Sequence, residues 1–175
     1  MKRSIGLWEF CGFAVTALSG TLLHFLYDWL GKTTWITPFS GVNESTWEHM
    51  KILFFPMLFF AILQGAFFSK ECKGFWKVKC IGIVLGVALI PTLFYTYNGA
   101  FGRSPDWLNV LFFFISAGVA YFAEYMLFSR TQGCDEFTFL PIFIIFLTTL
   151  GFVVFTFYPP NIPLFQDPIS STYGI

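Results

Sequence analysis

The sequence predicts an all-α protein, a polytopic bundle of five transmembrane helices with a short tail. Composition, five long apolar stretches and the placement of charge all point to it. Only 11% of the 175 residues are charged, while 56% are hydrophobic and 22% aromatic, with a mean hydropathy of +0.69. A soluble domain needs roughly a quarter of its residues charged to cover its surface; with less than half of that, most of the outside must face lipid. The 26 Phe fit a lipid-facing surface better than an aqueous core. Ten basic and ten acidic residues leave no basic surplus for nucleic acid.

Five stretches, about 7–30, 50–69, 76–97, 107–129 and 137–158, reach the roughly 17–25 mostly apolar residues a span requires. They form one membrane domain, residues 1–158, followed by a Pro-rich tail, 159–175. The first stretch could also be a cleaved signal peptide, since Met1-Lys2-Arg3 precedes it and Ala17-Leu18-Ser19-Gly20 offers small residues. Glu9 interrupts that pattern and the apolar run continues through Leu30, so it is read as a span. Its Gly12, Thr16 and Gly20 recur every fourth residue and allow close helix approach in lipid. The same stripe leads to His24 and Asp28, which are expected to point into the bundle or a wet cavity rather than toward lipid.

The second span opens at Val42-Asn43-Glu44-Ser45-Thr46-Trp47-Glu48-His49, where Ser45 and Glu48 make a capping box and Asn43 is a further cap. Its small-residue stripe is Ala61, Gly65 and Ser69; the third span has Gly82 and Gly86, and the fourth has Ser116 and Ala120, continuing to Glu124. Pro56, Pro91 and Pro141 lie inside spans, where neighbouring groups can re-satisfy the freed carbonyls. Glu9 and Glu124 are expected near span ends in structural ion pairs, within reach of interfacial Lys or Arg, with Glu124 pointing inward from its stripe. The tail's Pro159, Pro160, Pro163 and Pro168 exclude a helix. Its Ile162, Leu164, Phe165 and Tyr173 are unlike a disordered tail and predict that it folds back over the loops as a lid.

Basic residues orient the bundle. With the amino terminus cytoplasmic, Lys2, Arg3, Lys70, Lys73, Lys77, Lys79 and Arg130 lie inside, and only Lys32, Lys51 and Arg103 outside. Cys11, Cys72, Cys80 and Cys134 then all fall in the reducing half. The tail and both histidines are extracytoplasmic in this orientation, in a multi-pass protein of the cell membrane. Tyr27, Trp29, Trp35, Trp47, Tyr95, Tyr97 and Trp107 suit an interfacial aromatic belt.

The polar residues of that outer face are the candidate site: His24, Asp28, Glu44, Glu48 and His49 are its candidate ligand or metal residues, with Glu44, Glu48 and His49 closing it. Capping accounts for Ser45 and Glu48, but not for His49 or Glu44. With His24 and Asp28 they supply the imidazole and carboxylate donors of a zinc-like divalent metal site with a place for water. No compact motif such as H-E-x-x-H is present, so the ligands would come from two spans and a loop. Asn43, Arg103, Asp106 and Asp167 are supporting candidates, with Arg103 able to pair with Asp106 or with a first-loop carboxylate. Two other readings of His24 and Asp28 stay open: an intramembrane proton relay, and a hydrogen-bonded pair that only fixes the bundle.

Four segments together resemble a family of small bacterial membrane proteins of unknown function, found mainly in Gram-positive bacteria. They are Leu23-His24-Phe25-Leu26-Tyr27-Asp28-Trp29, Val42-Asn43-Glu44-Ser45-Thr46-Trp47-Glu48-His49, Gly102-Arg103-Ser104-Pro105-Asp106-Trp107, and Pro159-Pro160-Asn161-Ile162-Pro163-Leu164-Phe165-Gln166-Asp167-Pro168. The resemblance implies membrane class and topology and brings no mechanism. Three functions follow in order of expectation. The first is binding or transport of a small solute or metal ion at the outer cluster, with the tail as gate. The second is a structural or assembly partner of another membrane protein, and the third a metal-dependent hydrolase embedded in the membrane.

Overall fold

The computed structural model describes residues 2–69, 72, 74–130 and 139–175. The side chains of Lys2 and Arg3, together with Lys70, Lys73, Cys134 and the first two residues of the fifth predicted span, lie outside what it describes.

Five α-helices, α1 Lys2–Trp29, α2 Thr46–Phe68, α3 Phe75–Phe101, α4 Asp106–Arg130 and α5 Phe139–Phe157, make up the bundle, and each is long and apolar enough to cross a membrane. Even α5, with 19 residues, is about 28 Å long at 1.5 Å per residue, close to the hydrocarbon thickness. Among the described residues there is no strand, only an isolated bridge between Gln166 and Tyr173.

The boundaries follow local chemistry. Gly31, at φ +67°, turns the chain away from α1. Ser45 caps α2 through the Glu48 N–H. Gly102, at φ +86°, ends α3 one turn later than the apolar pattern alone indicates. Pro159 and Pro160 follow the end of α5.

α2 is the centre of the bundle: 61% of its apolar window is buried, against 22% for α1 and for α5. Around it α1 packs on α4, α3 on α4, and α5 on α3. The core joins Leu53, Phe54, Phe55 and Met57 of α2 to Ile83 of α3, Ala117 and Ala120 of α4, and Phe152 of α5. The small-residue stripes lie at these contacts. Gly12 faces the Tyr121 and Phe60 rings, Gly20 faces Phe113, Gly65 faces Phe75 and Trp76, and Gly86 faces Ala120. Phe10, Phe67, Phe122, Phe139 and Phe146 stay exposed on the perimeter, as lipid-facing rings should.

Two lysines depart from the sequence expectation. Lys79 and Lys51 were placed in the flanking segments, yet both are fully buried inside helices. Lys79 meets Glu9 at 3.1 Å and Glu124 at 2.6 Å. Glu124 thus points inward as expected, and Glu9 too is an interior group whose partner is not an interfacial cation. Lys51 pairs with Glu48 at 2.6 Å. A buried carboxylate requires a cation within contact distance, and in each case a neighbouring turn or helix supplies one.

Candidate functional site

The ends of α1, α3 and α5 and the starts of α2 and α4 lie on one face together with the tail, here the tail face. After α1 the chain passes through a short 3-10 turn, Thr34–Ile36, and returns along the helix it has just left. Ser40 Oγ accepts the Tyr27 N–H at 3.0 Å, and the Gly41 N–H donates to the Leu23 carbonyl at 3.1 Å. Gly41 lies directly against His24. The strand of loop that follows is thereby laid beside His24, carrying Glu44 to it.

The next residues form a tight turn. Asn43 Oδ1 accepts the Ser45 N–H at 2.9 Å, and Glu48 reaches back to the Val42 N–H at 2.9 Å. Glu48 thus closes the turn from a different donor than the Ser45 N–H of a capping box. It is also tied to Lys51, whose Nζ further donates to the Thr37 carbonyl at 2.7 Å and to Thr156 Oγ1 at 3.0 Å. With Oε2 shared between the Val42 N–H and Lys51, Glu48, a ligand candidate in the sequence, has a structural role on this face.

His24, Glu44 and His49 converge. Nε2 of His24 is 3.5 Å from Glu44 Oε1, and Nε2 of His49 is 3.7 Å from Glu44 Oε2. The imidazole rings are 5.5 Å apart. One donor atom from each of the three residues lies within 4.8 Å of the others. Around a tetrahedral zinc the ligand atoms stand about 3.4 Å apart, so closing the site takes a shift of about 1 Å. Glu44, with its side chain 43% exposed, is free to make it. His49 Nδ1 lies 2.9 Å from the Ser45 carbonyl. A carbonyl only accepts, so Nδ1 carries the proton and Nε2 presents its lone pair to the cluster. This is how metal-ligating histidines are oriented in general.

Space adjoins the cluster on both sides. A pocket of about 190 Å³ is lined by Gly20, Thr21, His24, His49, Ile52 and Phe113, among others, and is largely apolar. A cavity of about 20 Å³ touches Glu44, Thr46, His49 and Asn109, room for one water molecule.

The tail supports the loop from above. The Asp167 carboxylate accepts from the Glu44 backbone N–H, from Ser170 Oγ at 2.6 Å and from the Ile169 N–H at 3.0 Å. Burial pushes the Asp167 carboxyl up, but these hydrogen bonds outweigh it and hold the group below its ordinary value. Asn43 Nδ2 donates to the Gly174 carbonyl at 2.9 Å. The buried Phe165 packs against Trp47 in a tilted pair with ring centroids 4.5 Å apart.

Other candidates are placed elsewhere. Asp28 is exposed at the end of α1 and does not join His24. Four-residue steps each advance about 40° around a helix of 3.6 residues per turn, so the face has turned by about 80° between Gly20 and Asp28. Arg103 and Asp106 are exposed, and no ion pair joins them among the described residues. The 102–106 turn is held instead by Asn98 Oδ1, which accepts the Ser104 N–H at 2.6 Å, and by Ser104 Oγ donating to Asn109 Oδ1 at 2.7 Å. Lys51 and Lys79 were not among the candidates. Lys79 could have been found by extending the Gly86–Gly82 stripe back one turn, and Lys51 by its position one turn after Glu48.

No curated protein and no solved structure matches the chain. A family model matches residues 2–175, nearly its whole length, and on that match this multi-pass membrane protein belongs to DUF6512, a family of unknown function.

Proposed function

We propose that this protein binds a divalent transition metal ion, zinc by donor type, through His24, Glu44 and His49 on the extracytoplasmic face of the cell membrane. The observation that carries the reading is the His49 Nδ1–H···O=C bond to Ser45 at 2.9 Å, which turns Nε2 toward His24 and Glu44. Two imidazoles and a carboxylate are a donor set that suits zinc and leaves a fourth position open. A small solute or a water can occupy that position, which makes binding or transport the reading best supported.

Titration of zinc into the purified protein by calorimetry tests this. Binding should be lost in His24→Ala and in His49→Ala, and should weaken in Glu44→Gln. The Asp28→Asn variant should bind as wild type does, because Asp28 lies outside the cluster. Equal affinity in wild type and both histidine variants would remove the proposal. Thiol labelling of Lys32→Cys in intact cells with an impermeant maleimide tests the orientation separately.

A second reading has its own observation. The apolar pocket of about 190 Å³ beside a three-ligand site suits a metal-bound water acting on a lipid-like substrate. Hydrolysis of an amphiphilic ester by the zinc-loaded protein, absent in His24→Ala, would favour it over binding alone.

A further inference from the structure

The interior ion cluster lies apart from the proposed metal site and has a charge imbalance. Glu9 of α1, Gln64 of α2, Lys79 of α3 and Glu124 of α4 meet in the bundle, each at most 3% exposed. Lys79 Nζ is 3.1 Å from Glu9 Oε2 and 2.6 Å from Glu124 Oε2, and Gln64 Nε2 donates to Glu9 Oε1 at 2.8 Å. Four aromatic rings, Phe60, Phe75, Tyr121 and Phe128, surround the ammonium at 5.5–6.0 Å. One lysine thus faces two carboxylates. Tyr121, whose hydroxyl is hydrogen-bonded to Thr16 at 2.8 Å, is a further titratable group against the cluster, and Tyr125 lines the same groove as Glu9.

With every group ionised, a net negative charge would be buried among rings and lipid-embedded helices, where unpaired charge is strongly disfavoured. Two further observations show how the imbalance is met. The Glu9 and Glu124 side chains are within hydrogen-bonding reach of each other. Two carboxylate oxygens repel at that range unless one carries a proton, as in paired-carboxylate sites. Glu124 Oε1 and Gln64 Oε1 are moreover buried without a donor, so the cluster has acceptor capacity to spare. Glu124 itself is seated over Gly82, where any larger residue would collide with its carboxyl.

We propose that Glu9 and Glu124 share one exchangeable proton beside Lys79, making this cluster an intramembrane proton-binding site. The charges then balance: one ammonium and two carboxylates take up one proton, and the sum is zero. A purely structural salt bridge would need no second carboxylate on the same lysine.

Infrared spectroscopy of the purified protein at neutral pH is the test. Wild type should show the C=O stretch of a protonated carboxyl, shifted in D2O because the proton exchanges. Glu9→Gln and Glu124→Gln should each lose the band, since the one remaining carboxylate is neutralised by Lys79. Glu48→Gln should keep it, because Glu48 has Lys51 to itself. Glu124→Asp should keep the band at a displaced frequency, which covers the case in which either glutamine variant fails to fold. Absence of the band in wild type, its survival in either glutamine variant, or an undisplaced band in Glu124→Asp would overturn the proposal.

Discussion

Replacing Lys51 by Met removes a completely enclosed cation of the tail face. Lys51 is 0% exposed and holds together three elements, pairing with Glu48 on α2, the Thr37 carbonyl in the first loop and Thr156 on α5. Met fills nearly the same volume, so the loss is electrostatic and not a cavity. Removing one partner of a buried ion pair costs about 3–5 kcal/mol, because the other is left uncompensated. For a protein of this size each kcal/mol lowers Tm by about 2–4 °C, which gives a fall of about 6–20 °C in Lys51→Met. Thermal unfolding in detergent, followed by circular dichroism at neutral pH, measures it. The double variant Glu48→Gln/Lys51→Met should recover at least half of the loss, since the stranded charge is then gone. A Lys51→Met Tm within about 2 °C of wild type, or strict additivity in the double variant, would refute the reasoning.

The remaining predictions are narrower. Gly82→Ala drives a methyl into the Glu124 carboxyl and should cost about 1–3 kcal/mol. Gly151→Ala, with nothing nearby to meet, should stay within about 0.5 kcal/mol of wild type in the same melt. Asp167→Asn should make residues 158–175 more susceptible to protease at neutral pH. Because the folded Asp167 carboxyl sits below its ordinary value of 3.8, its contribution is complete above that value and is lost as pH falls through the lower folded one; wild type and Asp167→Asn should therefore converge in strong acid. Deleting residues 161–175 should expose the first loop to protease and weaken zinc binding; unchanged values of both would show that the tail does not support the loop.

The five helices were legible because lipid imposes a crude requirement, some twenty apolar residues without interruption, that sequence reports directly. Capping chemistry at Ser45 was equally plain, since it acts across three residues. The interior lysines were hidden by the same crudeness. A Lys near a span end reads as a loop charge, and only the packing of α1, α3 and α4 shows that Lys79 is claimed by Glu9 and Glu124. His24, Glu44 and His49 were each named as candidates, but their convergence depends on how the first loop returns along α1 through Gly41, which residue types do not encode. Asp28 failed for a measurable reason: a small shift per step accumulates, and two steps past Gly20 the stripe has left the packing face.

The contacts between tail and loop also impose an order on biosynthesis. Asn43 and Glu44 leave the ribosome early, yet they are held by Gly174 and Asp167, with 131 residues separating Asn43 from Gly174. Those partners follow α5 in the chain and reach the loop only after that helix has been inserted. Until then Glu44 sits on an unsupported loop between His24 of α1 and His49 of α2. The support that the tail gives to Glu44, one of the three proposed ligands, is therefore added only once the fifth helix is in place.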